Sequence, residues 1–237
     1  MNNAMQSVEH EQPIPNHKNR GVVEQVYQQI KTMMYRHMLA PGQKLGYQDL
    51  ARKLNVSVTP VIQALKGLER QGFVRYEPNR GYFVGEITET EAKELFEARI
   101  ALETYSIPFV IENWNKEKAK ALKEAYDEHL LSTKPENRRI FLLIRDAQFH
   151  LKLVECAGNR VVYSLLTDVL EHIYLRYRPE YLLAGRSKEA AREHRDILRA
   201  LESGDESGTI SLVKQHIKNG SEHVLFCKQS IEVEIFE

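Results

Sequence analysis

From Thr88 to the C-terminus the chain shows a single periodicity. Six stretches, roughly 89–112, 115–132, 136–156, 160–177, 187–203 and 206–228, repeat apolar residues at three- and four-residue spacing. No alternation long enough for a strand intervenes. Pro135, Gly158-Asn159, Pro179, Gly185 and Ser203-Gly204-Asp205 punctuate the stretches. Thr88 and Glu91 form a Thr-x-x-Glu capping box that opens the first of them. Consecutive amphipathic helices with short connections bury their apolar stripes only against one another, so an antiparallel six-helix bundle is expected.

Ahead of that region the period changes twice. Val22, Val26, Ile30, Met33, Met34 and Met38 mark a helix from Val22 to Leu39, stopped by Pro41 and Gly42. A short helix follows from Gln48 to Leu54, with Leu50, Ala51 and Leu54 inward. Ser57 is the expected N-cap of a third, with Pro60 in its first turn, Val61, Ala64, Leu65 and Leu68 inward, and Gly72 at its end. Phe73–Tyr76 and Tyr82–Val84 then read as two strands joined by Pro78-Asn79-Arg80-Gly81. Three helices and a hairpin make a winged helix-turn-helix, whose third helix can enter a major groove. Periodicity alone also fits a small helical module that binds protein.

The expected layout is therefore mainly α: a flexible polar tail over 1–20, a winged helix-turn-helix over 21–86, a linker over 87–90 and a helical domain over 91–230. Residues 1–86 carry 11 Lys and Arg against 7 Asp and Glu, and the remainder 22 against 26. A basic module on an acidic one suits an anionic partner for the first, although chance surface charge produces a similar imbalance. No apolar run approaches the ~20 residues of a membrane span. Cys156 and Cys227 form no clustered motif, which suits structural thiols and a cytoplasmic location.

The helical region carries polar residues where its core should be. Asp146 and His150 fall, four apart, within the stripe Leu142, Leu143, Phe149, Leu153 and Val154. His194 sits among Ala190, Ala191, Ile197, Leu198 and Leu201, and His216 among Leu212, Val213, Ile217 and Val224. Burying one carboxylate and three imidazoles is costly unless they satisfy one another or bind something. A divalent metal resolves this, because imidazole and carboxylate are suitable ligands. Core histidines held by hydrogen bonds, with Asp146 paired to His150, fit the same pattern.

The run Leu50-Ala51-Arg52-Lys53-Leu54-Asn55-Val56-Ser57-Val58-Thr59-Pro60 resembles the signature of the GntR family of regulators. Pro41-Gly42-Gln43-Lys44-Leu45 and Pro78-Asn79-Arg80-Gly81-Tyr82-Phe83-Val84 extend the likeness over 22–86. Residues 91–228 resemble the FadR C-terminal domain, FCD, through Asp146-x-x-x-His150, Glu193-His194-x-x-Ile197-Leu198, Gly204-Asp205 and His216. Six helices look more like the VanR-type branch. The resemblance implies that Asp146, His150, His194 and His216 hold a divalent metal, zinc ahead of nickel, manganese or iron. It also implies an effector cavity, a homodimer and a palindromic operator. Arg99 matches a family arginine that faces the cavity and would suit a carboxylate effector; Asn159 and Arg176 are further candidates. On the DNA side the candidates are Ser57, Thr59, Gln63, Lys66, Asn79, Arg80 and Gly81. Val58 and Ile62 stand where the family usually carries arginines, and they are expected as exposed apolar residues on the recognition helix.

The function expected is a repressor or activator whose operator affinity responds to a small organic acid. Two other readings stay open. The first is a metal-dependent hydrolase with Glu193 or Glu155 as base. The second is a sensor or adaptor whose DNA binding has weakened with the loss of arginines at 58 and 62.

Overall fold

The computed structural model describes residues 21–133, 139–177 and 184–234. The tail expected over 1–20, Pro135, Pro179 and the side chain of Cys227 lie outside the described residues. The chain divides into two compact units between Ile87 and Thr88, with Tyr174–Tyr177 grouping with the first.

The first unit contains three helices, α1 (Val22–Tyr35), α2 (Tyr47–Leu54) and α3 (Val58–Arg70), and three strands, β1 (Lys44–Leu45), β2 (Val74–Glu77) and β3 (Gly81–Val84). α1 packs on α3. Val26, Ile30 and Met34 on α1 and Val61, Leu65 and Leu68 on α3 are completely buried. The apolar spacing suggested that α1 would run to Leu39. It stops at Tyr35 because His37 takes a left-handed conformation, φ 50°. The His37 N–H then donates to the Met34 carbonyl and the Met38 N–H to the Met33 carbonyl, both at 2.9 Å, which closes the helix. Met38 is accordingly exposed rather than inward.

Asn55, also left-handed at φ 53°, makes the tight turn between α2 and α3. Ser57 occupies the N-cap with extended backbone, but its hydroxyl makes no capping bond. The sheet order is β1-β3-β2, both pairings antiparallel, with Tyr82 opposite Leu45 and Tyr76. The two-residue β1 was not expected, since so short a strand offers no alternation to read.

The second unit holds α4 (Glu89–Glu112), α5 (Lys116–Ser132), α6 (Arg139–Cys156), α7 (Arg160–Arg176), α8 (Ala184–Glu202) and α9 (Glu206–Glu234). The Thr88 hydroxyl accepts the Glu91 N–H at 3.2 Å and starts α4 as its sequence predicts. Helix α8 begins three residues ahead of the expected 187, and α9 continues past 228. α4 packs on α6 and α9, α5 packs on α6 and α8, and α8 packs on α9. Five helices therefore form a closed ring of neighbours, α4-α6-α5-α8-α9. Ile107, Leu122, Phe149, Leu153, Ile197, Val213 and Ile217 fill the ring, all completely buried. Among the described residues no helix is long and apolar enough to cross a membrane.

Candidate metal centre

Every helix of the ring sends a polar side chain to one place in its interior. Asp146 and His150 come from consecutive turns of α6, His194 from α8 and His216 from α9, and one ligand atom from each lies within 4.8 Å of the others. The three imidazoles turn their Nε2 atoms toward one another. His150 Nε2 is 2.9 Å from His216 Nε2, and His194 Nε2 is 3.2 Å from both. The Asp146 carboxylate stands 3.5 Å from His194 Nε2, 3.8 Å from His150 Nε2 and 3.9 Å from His216 Nε2. The three rings are buried, and the Asp146 side chain is 15% exposed.

The opposite edges of the rings are held as well. His150 Nδ1 is 2.6 Å from Glu103 Oε2 on α4, and His216 Nδ1 is 2.6 Å from Glu193 Oε2 on α8. His194 Nδ1 is 2.9 Å from Nδ1 of His129 on α5. The carboxylates are anchored in turn. Arg99 Nε donates to Glu103 at 2.6 Å, Arg186 grips Glu193 with two bonds of 3.0 and 2.7 Å, and Asn219 adds a third at 2.6 Å. Burial alone raises the Glu103 carboxyl, but His150 and Arg99 outweigh it and hold it at about 2. Glu193 is likewise raised by burial, then brought to about 2 by His216 and Arg186. Burial and the neighbouring imidazoles push His194 well below its ordinary value. Burial also lowers His216, against the pull of Glu193.

Two of these contacts place a proton on Nδ1. An ionised carboxylate only accepts, so His150 and His216 must donate from Nδ1. A neutral imidazole that donates from Nδ1 carries a bare lone pair on Nε2. Where both rings are neutral, two such lone pairs face each other 2.9 Å apart with no proton between them. A cation between them removes the conflict, and ligand atoms around one ion at ~2.0–2.1 Å are themselves about 3 Å apart. A carboxylate behind a metal-binding histidine is the common way to fix its tautomer and raise its basicity. The donor set and its surroundings thus fit a divalent ion.

The other expected site residues are distributed unevenly. Arg99 is buried on α4, with a terminal nitrogen 3.7 Å from Asp146 Oδ2. Asn159 is a correction: it is exposed, and its side-chain oxygen caps α7 by accepting the Val161 and Val162 N–H groups at 3.1 and 3.2 Å. Arg176 is buried but groups with the first unit rather than with the ring. Both expected hydrolase bases are engaged by other side chains. Glu193 is fully engaged by Arg186, Asn219 and His216, and the exposed Glu155 pairs with Lys152. Glu103, His129, Arg186 and Asn219 were not anticipated. Glu103 had a readable signal, since Phe96, Arg99, Glu103, Ser106 and Val110 form the buried stripe of α4.

In the first unit Ser57, Thr59, Gln63 and Lys66 are exposed along α3 and its approach. Asn79 and Arg80 are exposed at the hairpin, where Asn79 and Gly81 take positive φ, 62° and 96°. Arg80 pairs with Glu77 and lies over the Phe83 ring. Val58 and Ile62 are half-buried rather than exposed.

The FCD domain model matches residues 94–219, more than half of the chain, and the model for bacterial regulatory proteins of the gntR family matches 22–84. The chain belongs to the GntR family. Among its relatives, the uncharacterized regulator YdhC of Bacillus subtilis is 26% identical over 84% of this chain and 89% of its own length. The transcriptional repressor RspR of Escherichia coli is 23% identical over 88% and 91%. The solved structure of E. coli McbR superimposes with a TM-score of 0.73 at 19% identity, covering 90% of this chain and 99% of McbR. A GntR regulator from Rhodococcus sp. RHA1 gives 0.74 at 21% identity, over 86% and 97%. At these identities the structures establish the fold. The protein is a ligand-responsive, DNA-binding transcription regulator of the GntR family and not an enzyme.

Proposed function

We propose that this GntR regulator holds one divalent metal ion on Asp146, His150, His194 and His216 and senses a small organic acid beside it. The observation that carries the reading is the convergence of four ligand atoms within 4.8 Å, with the far side of each histidine ring already partnered. Zinc suits three imidazoles and a carboxylate best, with nickel, manganese and iron as competitors. A bound ion would supply a Lewis-acidic anchor for a ligand oxygen.

The chain's own charges favour an anionic ligand. Asp146, Glu103 and Glu193 contribute three negative charges, and Arg99 and Arg186 two positive ones. With a dication in place the ensemble is positive by one charge, which a monocarboxylate would neutralise. Arg99, already beside Asp146, is the guanidinium best placed to meet it.

Effector binding shifts the balance between states of different operator affinity, and operator binding changes effector affinity by the same factor. The regulator acts as a cytoplasmic homodimer on a palindromic site. Thr59 and Gln63 reach base edges, while Ser57, Lys66, Asn79, Arg80 and Gly81 hold the backbone or minor groove. The test is a thermal-shift panel of organic acids with and without chelator. A particular acid should stabilise the protein only when metal is retained. Indifference to every acid and to chelation would sink the proposal.

A further inference from the structure

The three cluster histidines are not held alike. His150 and His216 each lean on a buried carboxylate, whereas His194 leans on another imidazole. His129 is 1% exposed on α5, and its Nδ1 faces His194 Nδ1 at 2.9 Å. Two nitrogens at that distance share one proton, and its owner decides which edge of His194 carries a lone pair. If His194 holds the proton on Nδ1, its Nε2 is bare and faces Asp146, His150 and His216. If His129 holds it, His194 must be protonated on Nε2, and the cluster loses a ligand. The Phe149 ring stacks on His194 with centroids 4.0 Å apart and planes 17° from parallel, which holds the plane of the imidazole.

We infer that His129 is a positioning residue for the metal centre: as a neutral acceptor it fixes the Nδ1–H tautomer of His194 and so aims its Nε2 lone pair at the metal. The inference rests on the metal-binding reading above. A neutral acceptor here also has a consequence that a carboxylate would not. A third carboxylate behind the rings would cancel the single positive charge left on the metal-loaded site, and with it the attraction for an anionic ligand.

The experiment uses the full chain and zinc alone as probe. Long-range proton–nitrogen spectra of the zinc-loaded wild type should show His194 protonated at Nδ1 and bare at Nε2. H129L keeps an apolar side chain in the space but offers no acceptor, and it should bind zinc about 10- to 100-fold more weakly in competition with a chromophoric chelator. H129Q restores a carbonyl acceptor and should recover most of that loss. A His194 proton away from Nδ1, or zinc affinity in H129L equal to wild type, overturns the assignment. If H129L does not fold, the wild-type spectrum still decides it through His129, which must be bare at Nδ1 opposite the His194 proton; a His129 protonated there overturns the assignment. A wild type that binds no zinc overturns the metal reading as well, which separates the two failures.

Discussion

Replacing Glu103 by Gln is the sharpest test of how the ring interior is held. Glu103 is 0% exposed and accepts from Arg99 Nε and His150 Nδ1, each at 2.6 Å. A glutamine of the same shape has one carbonyl oxygen for these two donors. Its NH2 group must face the other donor, and the Arg99 charge is left with Asp146 at 3.7 Å. Removing one partner of a buried charged pair costs about 3–5 kcal/mol. For a domain of this size each kcal/mol moves the melting temperature by roughly 2–4 °C, so the metal-free variant should melt about 6–20 °C below wild type. Zinc affinity should fall about 10- to 100-fold, because the His150 ring loses the carboxylate charge that raises its basicity. Thermal unfolding after chelation and zinc competition measure the two effects separately. An E103Q protein that melts within about 2 °C of wild type and binds zinc equally well would refute the reasoning; the same ~2–4 °C per kcal/mol makes that a change under about 1 kcal/mol.

The pH dependence of the metal-free protein follows from the shifted groups. His194 and His216 are held below their ordinary value, so the unfolded chain takes up protons first as pH falls past 6.5, and stability declines from there. Glu103 and Glu193, held at about 2, contribute stability that is present above pH 4.5 and lost as pH falls from 4.5 toward 2. A urea midpoint flat between pH 7 and pH 5 would contradict this. On the DNA side, Lys66→Ala should weaken all sequences alike and reduce the salt slope of binding by about one unit, measured by anisotropy titration. Gln63→Ala should instead relax preference at one position, at a cost of about 1–3 kcal/mol on the favoured sequence. Selection from random DNA should return an operator poor in essential guanines, since Val58 and Ile62 offer no donor to them; a G-centred consensus would count against it.

The helical region was legible because each stripe repeats over several turns, and Asp146, His150, His194 and His216 could be seen as interruptions of stripes. Glu103 lay on such a stripe too, with Phe96, Arg99, Ser106 and Val110. His129 was harder: a single polar residue on a helix reads as surface until its neighbours are known, and it is packing between α5 and α8, far apart in sequence, that places it against His194. Asn159 erred in the opposite direction: an Asn after Gly158 at a helix start is explained by capping, which needs no cavity. The end of α1 was misplaced because Met38 continues the apolar spacing past His37, and left-handed backbone leaves no trace in hydrophobic pattern. The angle of Val58 and Ile62 to the Val61, Leu65 and Leu68 stripe predicts exposed side chains. That angle ignores the width of a packed helix face, and both are half-buried.

The central claim is that four side chains from α6, α8 and α9 hold one ion. Elemental analysis of the purified full-length chain, with zinc titration after chelation, tests it directly. The account predicts one ion per chain, removed by chelator, restored by zinc and abolished in the His150→Ala, His216→Ala double variant. A wild type that takes up no ion, or a double variant that keeps it, would contradict the claim.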